Sequence, residues 1–304
     1  MEGFDLVDVK YPVGKSRLSE YPKKEFDNGK CGLYEIFFIC PKDIATPILP
    51  KKSISRGLEC SLLDGKGVYT NIEIINAVSV GYKVEFINKC LVWDKTGNVF
   101  KTYVDKYYQM KTDAEKQNNP VKRSIAKLML NAMYGKTLQR AIYDTTEIIC
   151  DYNKLLNFFK DYEITDISVS SESKLIISGI AIRREEKITK PCQLGAFVLS
   201  YSRQIMMNYM KAVEPTLKTH IFIYTDTDSL HIKGEYKDKL EELGMIKIGD
   251  ECSLGYLCSD IDNEGIIIYE NNLAPKNYIY EYIDNKNNVY DKDNGFEKGK
   301  GIPK

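Results

Sequence analysis

Two aspartates stand one residue apart in Ile221-Phe222-Ile223-Tyr224-Thr225-Asp226-Thr227-Asp228-Ser229-Leu230-His231-Ile232. Carboxylates this close repel one another unless a cation lies between them, and hard oxygen donors suit Mg²⁺. β-Branched and aromatic residues enter and leave the pair. Strands therefore flank it, and Thr225 to Asp228 form a tight turn. Side chains at a hairpin tip do not serve packing. The alternative is an acidic turn in water, which is the commoner account of an isolated Asp-x-Asp.

A second constellation lies upstream. Asn119 as N-cap and Pro120 at the first helical position start a helix. Arg123, Lys127, Asn131 and Tyr134 fall at i, i+4, i+8 and i+11 on one face. Ile125, Leu128, Met129, Ala132 and Met133 line another, the expected core stripe. Gly135 follows as the expected C-terminal cap. The polar stripe offers cations for a phosphate, an amide, and a ring on which a base can stack. A merely solvated face is the competing account. Further on, Lys276 and Tyr278 share one face of a strand by the two-residue period.

The rest of the chain must position these groups. Residues 1–30 read as loop and turn. Gly32 to Cys40 is a strand, and a connector through Pro41, Pro47 and Pro50 follows it. Asn71 caps a short helix over Ile72 to Val80. Tyr82 to Ile87 is a strand, and a second one ends at Trp93. Asn98 caps a helix to Lys116, so residues 98–134 form two antiparallel helices. Residues 140–190 alternate short strands with polar turns, for instance Leu175 to Ile182. A helix from Gln193 to Ala212 then buries Leu194, Phe197, Val198, Tyr201, Ile205 and Tyr209. After the Asp226–Asp228 hairpin, Ile266 to Tyr269 and Tyr278 to Ile283 form another strand pair.

At 304 residues and 43% hydrophobic, the chain can build one large domain or two smaller ones. Its 43 basic and 43 acidic residues cancel, so any nucleic-acid surface must be local. Eight cysteines without CxxC pairs or His partners argue for reduced thiols in an intracellular setting. No apolar run has transmembrane length, and the start is not a signal peptide, so no membrane partner is expected.

Taken in order, three motifs resemble those of family B DNA polymerases. Lys127-x-x-x-Asn131-Ala132-Met133-Tyr134-Gly135 is similar to their finger-helix motif Kx₃NSxYG. Tyr224-Thr225-Asp226-Thr227-Asp228-Ser229 is similar to the palm motif YxDTDS. Pro275-Lys276-Asn277-Tyr278 resembles the KxY motif. Residues Gly67 to Lys111 resemble the stretch before the finger motif. Lys10-Tyr11-Pro12-Val13-Gly14 and Lys300-Gly301-Ile302-Pro303-Lys304 resemble segments of the organellar, plasmid and viral branch, whose members are often protein-primed.

The resemblance implies an α+β fold. A polymerase palm, a mainly antiparallel sheet backed by helices, would carry an α-helical fingers hairpin. It divides the chain into an N-terminal palm portion with an inserted segment (1–97), fingers (98–139), a mostly β insertion (140–190) and a palm part with the DTDS hairpin and KxY segment (191–304). It leaves no counterpart for an exonuclease or thumb, so a core truncated at both ends, a split gene product or a decayed copy is expected. The implied activity is DNA-directed DNA polymerase, adding deoxynucleotides to a primer 3′ end by a two-metal mechanism. Asp226, Asp228 and Asp8 would be the catalytic, metal-holding carboxylates around two Mg²⁺ ions. Lys111, Lys127, Asn131 and Tyr134 would bind the nucleotide, and Lys276 and Tyr278 the primer end. The implied partners are primer-template DNA and deoxynucleoside triphosphates, with a terminal protein as a further candidate primer. The setting would be a virus-infected cell or a plasmid or organelle compartment.

Two departures qualify this. Ala132 replaces the usual Ser of the finger motif. The first palm motif, DxxSLYP, has only Asp5 or Asp8 as its carboxylate, in Gly3-Phe4-Asp5-Leu6-Val7-Asp8-Val9-Lys10-Tyr11-Pro12. The competing expectation is therefore an inactive remnant that binds primer-template DNA or nucleotide. A third is an unrelated metal-binding or structural protein with a chance DTDS.

Overall fold

The computed structural model describes residues 9–53, 57–139, 144–171, 173–182, 190–220, 222–247, 255–259, 265–274, 276–284, 286–290 and 298–300. Helices and mostly antiparallel sheets alternate along them. The chain divides into two compact units, residues 1–109 with 196–304, and residues 110–195.

The first unit is built on the strand Cys31–Ile39. It pairs antiparallel with Gly65–Thr70 on one side and Lys83–Trp93 on the other, and Arg17–Ser19 completes a four-stranded sheet. Burial alternates along Cys31–Ile39, so Gly32, Tyr34, Ile36 and Phe38 face the core. Gly32 is needed there, because a Cβ would meet Val92 Cγ1 at 2.8 Å and Leu91 O at 2.9 Å. The sequence suggests two strands between Tyr82 and Trp93, but the structure has one, Lys83–Trp93. Asn88, at φ 52°, lies where the pairing of this strand with Cys31–Ile39 shifts register, a bulge rather than a break.

The helix Asn71–Ser79 covers this sheet with Ile74 and Ala77. Its N-cap is Thr70, not Asn71: the Thr70 hydroxyl accepts from the Glu73 N–H, and Glu73 reaches back to the Thr70 N–H. The helix Cys192–Val213 sends Met207 and Met210 into the same core. Phe222 and Leu230, from the strands flanking the acidic turn, pack against that core as well. The apolar residues around the aspartates thus anchor the turn. On the other side, Phe222 and Ile232 pack against a smaller cluster centred on Val213 and Leu240.

The second unit contains the end of the helix Lys101–Lys116, then the helix Pro120–Leu138. Asn119 caps the latter, its side chain accepting from the Lys122 N–H at 3.0 Å. The Asn118 backbone takes a left-handed φ of 49° in the turn between the helices. The stripe Ile125, Leu128, Ala132 is exposed, against expectation, and Ala126 is the buried residue of the helix. Periodicity reveals that a helix has two faces. It does not say which face a neighbour covers. Gly135 does not end the helix, which runs to Leu138.

Strands Tyr162–Ser171, Lys174–Ala181 and Asp144–Ile149 form a three-stranded antiparallel sheet in that order. The helix Tyr152–Asp161, not anticipated from the sequence, is capped by Asp151 and places Phe158 in a small core with Ile149 and Ile177.

Among the described residues no helix is long and apolar enough to cross a membrane. Cys31, Cys40, Cys60, Cys90, Cys150 and Cys192 are free thiols, but Cys258 is disulfide-bonded. The expectation of reduced thiols fails at that position, because sequence spacing does not report which sulfurs meet in space.

Candidate functional site

The acidic turn joins strands Phe222–Asp226 and Ser229–Ile232. Tyr224 pairs with His231, Thr225 with Leu230 and Asp226 with Ser229. Thr227 sits at the tip with φ 59°, a left-handed conformation unusual for a β-branched residue. The fold is closed by short local bonds. Asp228 N–H donates to the Asp226 carbonyl at 2.6 Å, and the Ser229 hydroxyl donates to the same oxygen at 3.1 Å. The Thr227 hydroxyl donates to Asp226 Oδ1 at 3.0 Å. The Asp226 side chain is 11% exposed. Asp228 is exposed.

A second hairpin, strands Ile266–Ala274 and Asn277–Ile283, comes against the first. Lys276 donates its ammonium to both oxygens of Asp226, at 2.8 and 2.9 Å. Its backbone N–H donates to the Tyr224 hydroxyl at 2.9 Å. The Tyr278 ring lies 5.1 Å from the Tyr224 ring, centre to centre. The shared strand face expected for Lys276 and Tyr278 is not how they meet. Lys276 precedes the strand, at φ 62°, so the strand period does not govern it. Both residues nonetheless converge on Tyr224.

The donors here suit a hard divalent cation in kind. Asp226 and Asp228 are carboxylates on either side of the turn tip Thr227, and Asp226 already holds one cation, the Lys276 ammonium. Among the described residues no three His, Cys, Asp or Glu side chains gather into a metal-holding group. Asp5 and Asp8 lie outside the described residues.

The other expected site residues belong to the second unit. Lys127 and Asn131 are exposed on the helix Pro120–Leu138, and Tyr134 is half-buried there. Lys111 pairs with Glu115 at 3.7 Å, and Glu115 also accepts from Arg123 at 2.7 Å. The Arg123 guanidinium holds the Glu115 carboxyl below its usual range, with Lys111 adding to the effect. Arg123 is thus engaged across the helix turn.

The sequence reading passed over three residues of the first unit's site. His231 hydrogen-bonds to Glu270 at 2.7 Å, and Tyr224 receives Lys276, Tyr278 and His231 together. The available signals were weak. His231 is one of only two histidines, and Glu270 interrupts an apolar strand run.

Comparison with known proteins joins these observations. The family described as DNA polymerase type B, organellar and viral, matches residues 4–216, a span that ends before the acidic turn. A DNA polymerase of Kluyveromyces lactis is 29% identical over 255 residues, covering 79% of this chain and 24% of that protein. Phi29 DNA polymerase complexed with primer-template DNA superposes with a TM-score of 0.64 at 18% identity, over 98% of this chain and 45% of that one. The same polymerase with primer-template DNA and incoming nucleotide substrates gives 0.64 at 18% identity, over 98% of this chain and 48% of that one. The chain therefore spans about a quarter of the first relative and about half of the solved polymerase. The match over residues 4–216 covers well over half of the sequence, and the chain belongs to the organellar and viral type B DNA polymerases.

Proposed function

We propose that this chain is the palm and fingers part of a DNA-directed DNA polymerase, extending a primer 3′ end with deoxynucleotides. The observation that carries this is the Asp226–Asp228 turn meeting Lys276 and Tyr278 of a separate hairpin. A carboxylate pair beside a lysine and an aromatic ring can hold divalent ions next to a phosphodiester end. The first unit would be palm and the helices Lys101–Lys116 and Pro120–Leu138 fingers. Residues 140–190 would be an insertion.

Asp226 and Asp228 would hold two Mg²⁺ ions, with Asp8 as the third carboxylate. When bound, the ions supply activation of the primer 3′-hydroxyl and stabilisation of the pyrophosphate leaving group. Lys276 would bind the terminal primer phosphate and Tyr278 the adjoining sugar and base. Lys127 and Lys111 would carry the triphosphate, while Asn131 and Tyr134 shape the pocket for the new base pair. These contacts read phosphate and shape, so no template sequence is preferred. The Phi29 structures hold primer-template DNA and incoming nucleotides. We extend both partners to this chain, and a terminal protein as a candidate primer.

The test is Mg²⁺-dependent extension of a labelled primer-template by the full chain. Extension by the parent and none by Asp228→Asn supports the reading. A blank parent that also fails to bind primer-template at low salt overturns it.

A further inference from the structure

His231 and Glu270 form a largely buried pair that the polymerase reading does not use. Their side chains are 14% and 4% exposed. His231 Nδ1 lies 2.7 Å from Glu270 Oε1, and with the carboxylate as acceptor Nδ1 is the donor. Glu270 Oε2 is buried with no hydrogen-bond partner among the described residues.

The pair bridges two hairpins that, among the described residues, share no backbone ladder. Strands Phe222–Asp226 and Ser229–Ile232 are a two-stranded sheet by themselves, and Ile266–Ala274 with Asn277–Ile283 belong to another. The alignment between them rests on side-chain contacts and on the Lys276 N–H that donates to the Tyr224 hydroxyl. His231 lies opposite Tyr224 in its ladder, and Glu270 opposite Tyr280 in the other. The imidazole meets the rings of Tyr224 at 5.2 Å, Tyr278 at 5.3 Å and Tyr280 at 6.5 Å. Packing alone does not call for a buried carboxylate, because apolar residues of the same volume hold two sheets together as well. What a buried hydrogen bond adds is a single permitted alignment.

We propose that His231 and Glu270 are positioning residues. They set the height of Tyr278, and with it Lys276, against Asp226, so that the primer end is presented to the carboxylates. The consequence for the primer rests on the polymerase reading. The alignment itself does not.

Three variants of the full chain test it: His231→Leu, which keeps bulk without a donor, His231→Asn, whose amide replaces the Nδ1 donor, and Glu270→Gln. Amide hydrogen exchange is followed without DNA. Primer-template and nucleotide dissociation constants are measured separately. In His231→Leu, exchange over 276–283 accelerates and primer-template affinity drops, each about tenfold, as for one lost hydrogen bond. The helix Asn71–Ser79 and nucleotide affinity stay at parental values. His231→Asn and Glu270→Gln stay near the parent. A Leu variant that exchanges like the parent overturns the proposal, as does an Asn variant as impaired as Leu. A parent that binds no primer-template overturns the polymerase reading, and the exchange data still decide the role of the pair.

Discussion

Lys276 grips Asp226 with its ammonium 2.8 and 2.9 Å from the two carboxylate oxygens. The lysine side chain is 61% exposed and the aspartate 11%. Lys276 reaches this position from a left-handed backbone, φ 62°, that costs about 1–3 kcal/mol for a residue with a Cβ. The Tyr224 hydroxyl, accepting from the Lys276 N–H at 2.9 Å, helps hold that conformation. Asp226 is thus neutralised from within the chain, whereas the neighbouring Asp228 carboxylate faces solvent.

A divalent ion that uses Asp226 has to share or displace this ammonium. Lys276→Met keeps the stem and removes the charge. Manganese affinity, read from the electron paramagnetic resonance of the free ion without DNA, should rise about three- to fivefold. That is the size of an exposed ion pair worth up to about 1 kcal/mol. The difference should shrink in high salt. Equal affinities at low salt would mean that metal and Lys276 do not compete for Asp226.

Asp228→Asn separates metal chemistry from DNA binding. The charge that metals stabilise during transfer is worth several kcal/mol, so extension by the variant should fall by about a thousandfold. Primer-template affinity should hold within about threefold, because removing a negative charge beside phosphates does not weaken backbone contacts. If extension persists, the carboxylate does not carry the reaction.

The acidic hairpin was legible because its turn and strands are local: Thr225 to Asp228 and the flanking β-branched residues decide it over a dozen positions. The Asn119–Pro120 helix start was legible for the same reason. The cap at Thr70 was missed by one residue, since Thr70 and Asn71 both suit a cap and only the reach of Glu73 back to Thr70 decides between them. The exposed Ile125 and Leu128 could not be read, because burial depends on what lies opposite the helix. The His231–Glu270 contact joins residues 39 positions apart in two different sheets, and no local pattern encodes it. Asp8 was legible as a candidate only through resemblance, and it lies outside the described residues.

Asp284 should make the KxY strand sensitive to acid. It is buried after the strand Asn277–Ile283, and its carboxylate accepts from the Asn288 side chain at 2.9 Å and from the Lys286 and Asn288 N–H groups at 2.8 Å each. These bonds, the Asn288 side chain first, lower its pKa to about 2. The unfolded value is about 3.9, so the folded state favours the ionised form. Its stabilisation is complete above about pH 4 and is lost as pH falls through about 2. Asp284→Asn should remove that dependence and lower the melting temperature at pH 7, with a smaller difference at pH 2.5. Parallel melting curves at both pH values would show that the carboxylate charge does not matter.

The capping box at Thr70 and Glu73 ties the helix Asn71–Ser79 to the helix Cys192–Val213. Glu73 accepts from the Thr70 N–H at 3.0 Å and pairs with Arg203 through its other oxygen. Arg203 Nε is buried with no hydrogen-bond partner among the described residues, so this guanidinium leans on Glu73. Thr70→Val removes the cap and the hydroxyl's own bond to the Glu73 carboxylate, keeps the Glu73–Arg203 pair, and should cost about 1 kcal/mol. Glu73→Ala removes half the box and also strands Arg203. It should cost about 2–3 kcal/mol, discounted because Arg203 is partly exposed. The double variant Glu73→Ala with Arg203→Met should recover part of that loss, since no charge is then left without its partner. Denaturant melts of the parent, Glu73→Ala, Arg203→Met and the double variant give the coupling directly. A double variant less stable than Glu73→Ala would mean that Arg203 stabilises the fold through contacts other than Glu73.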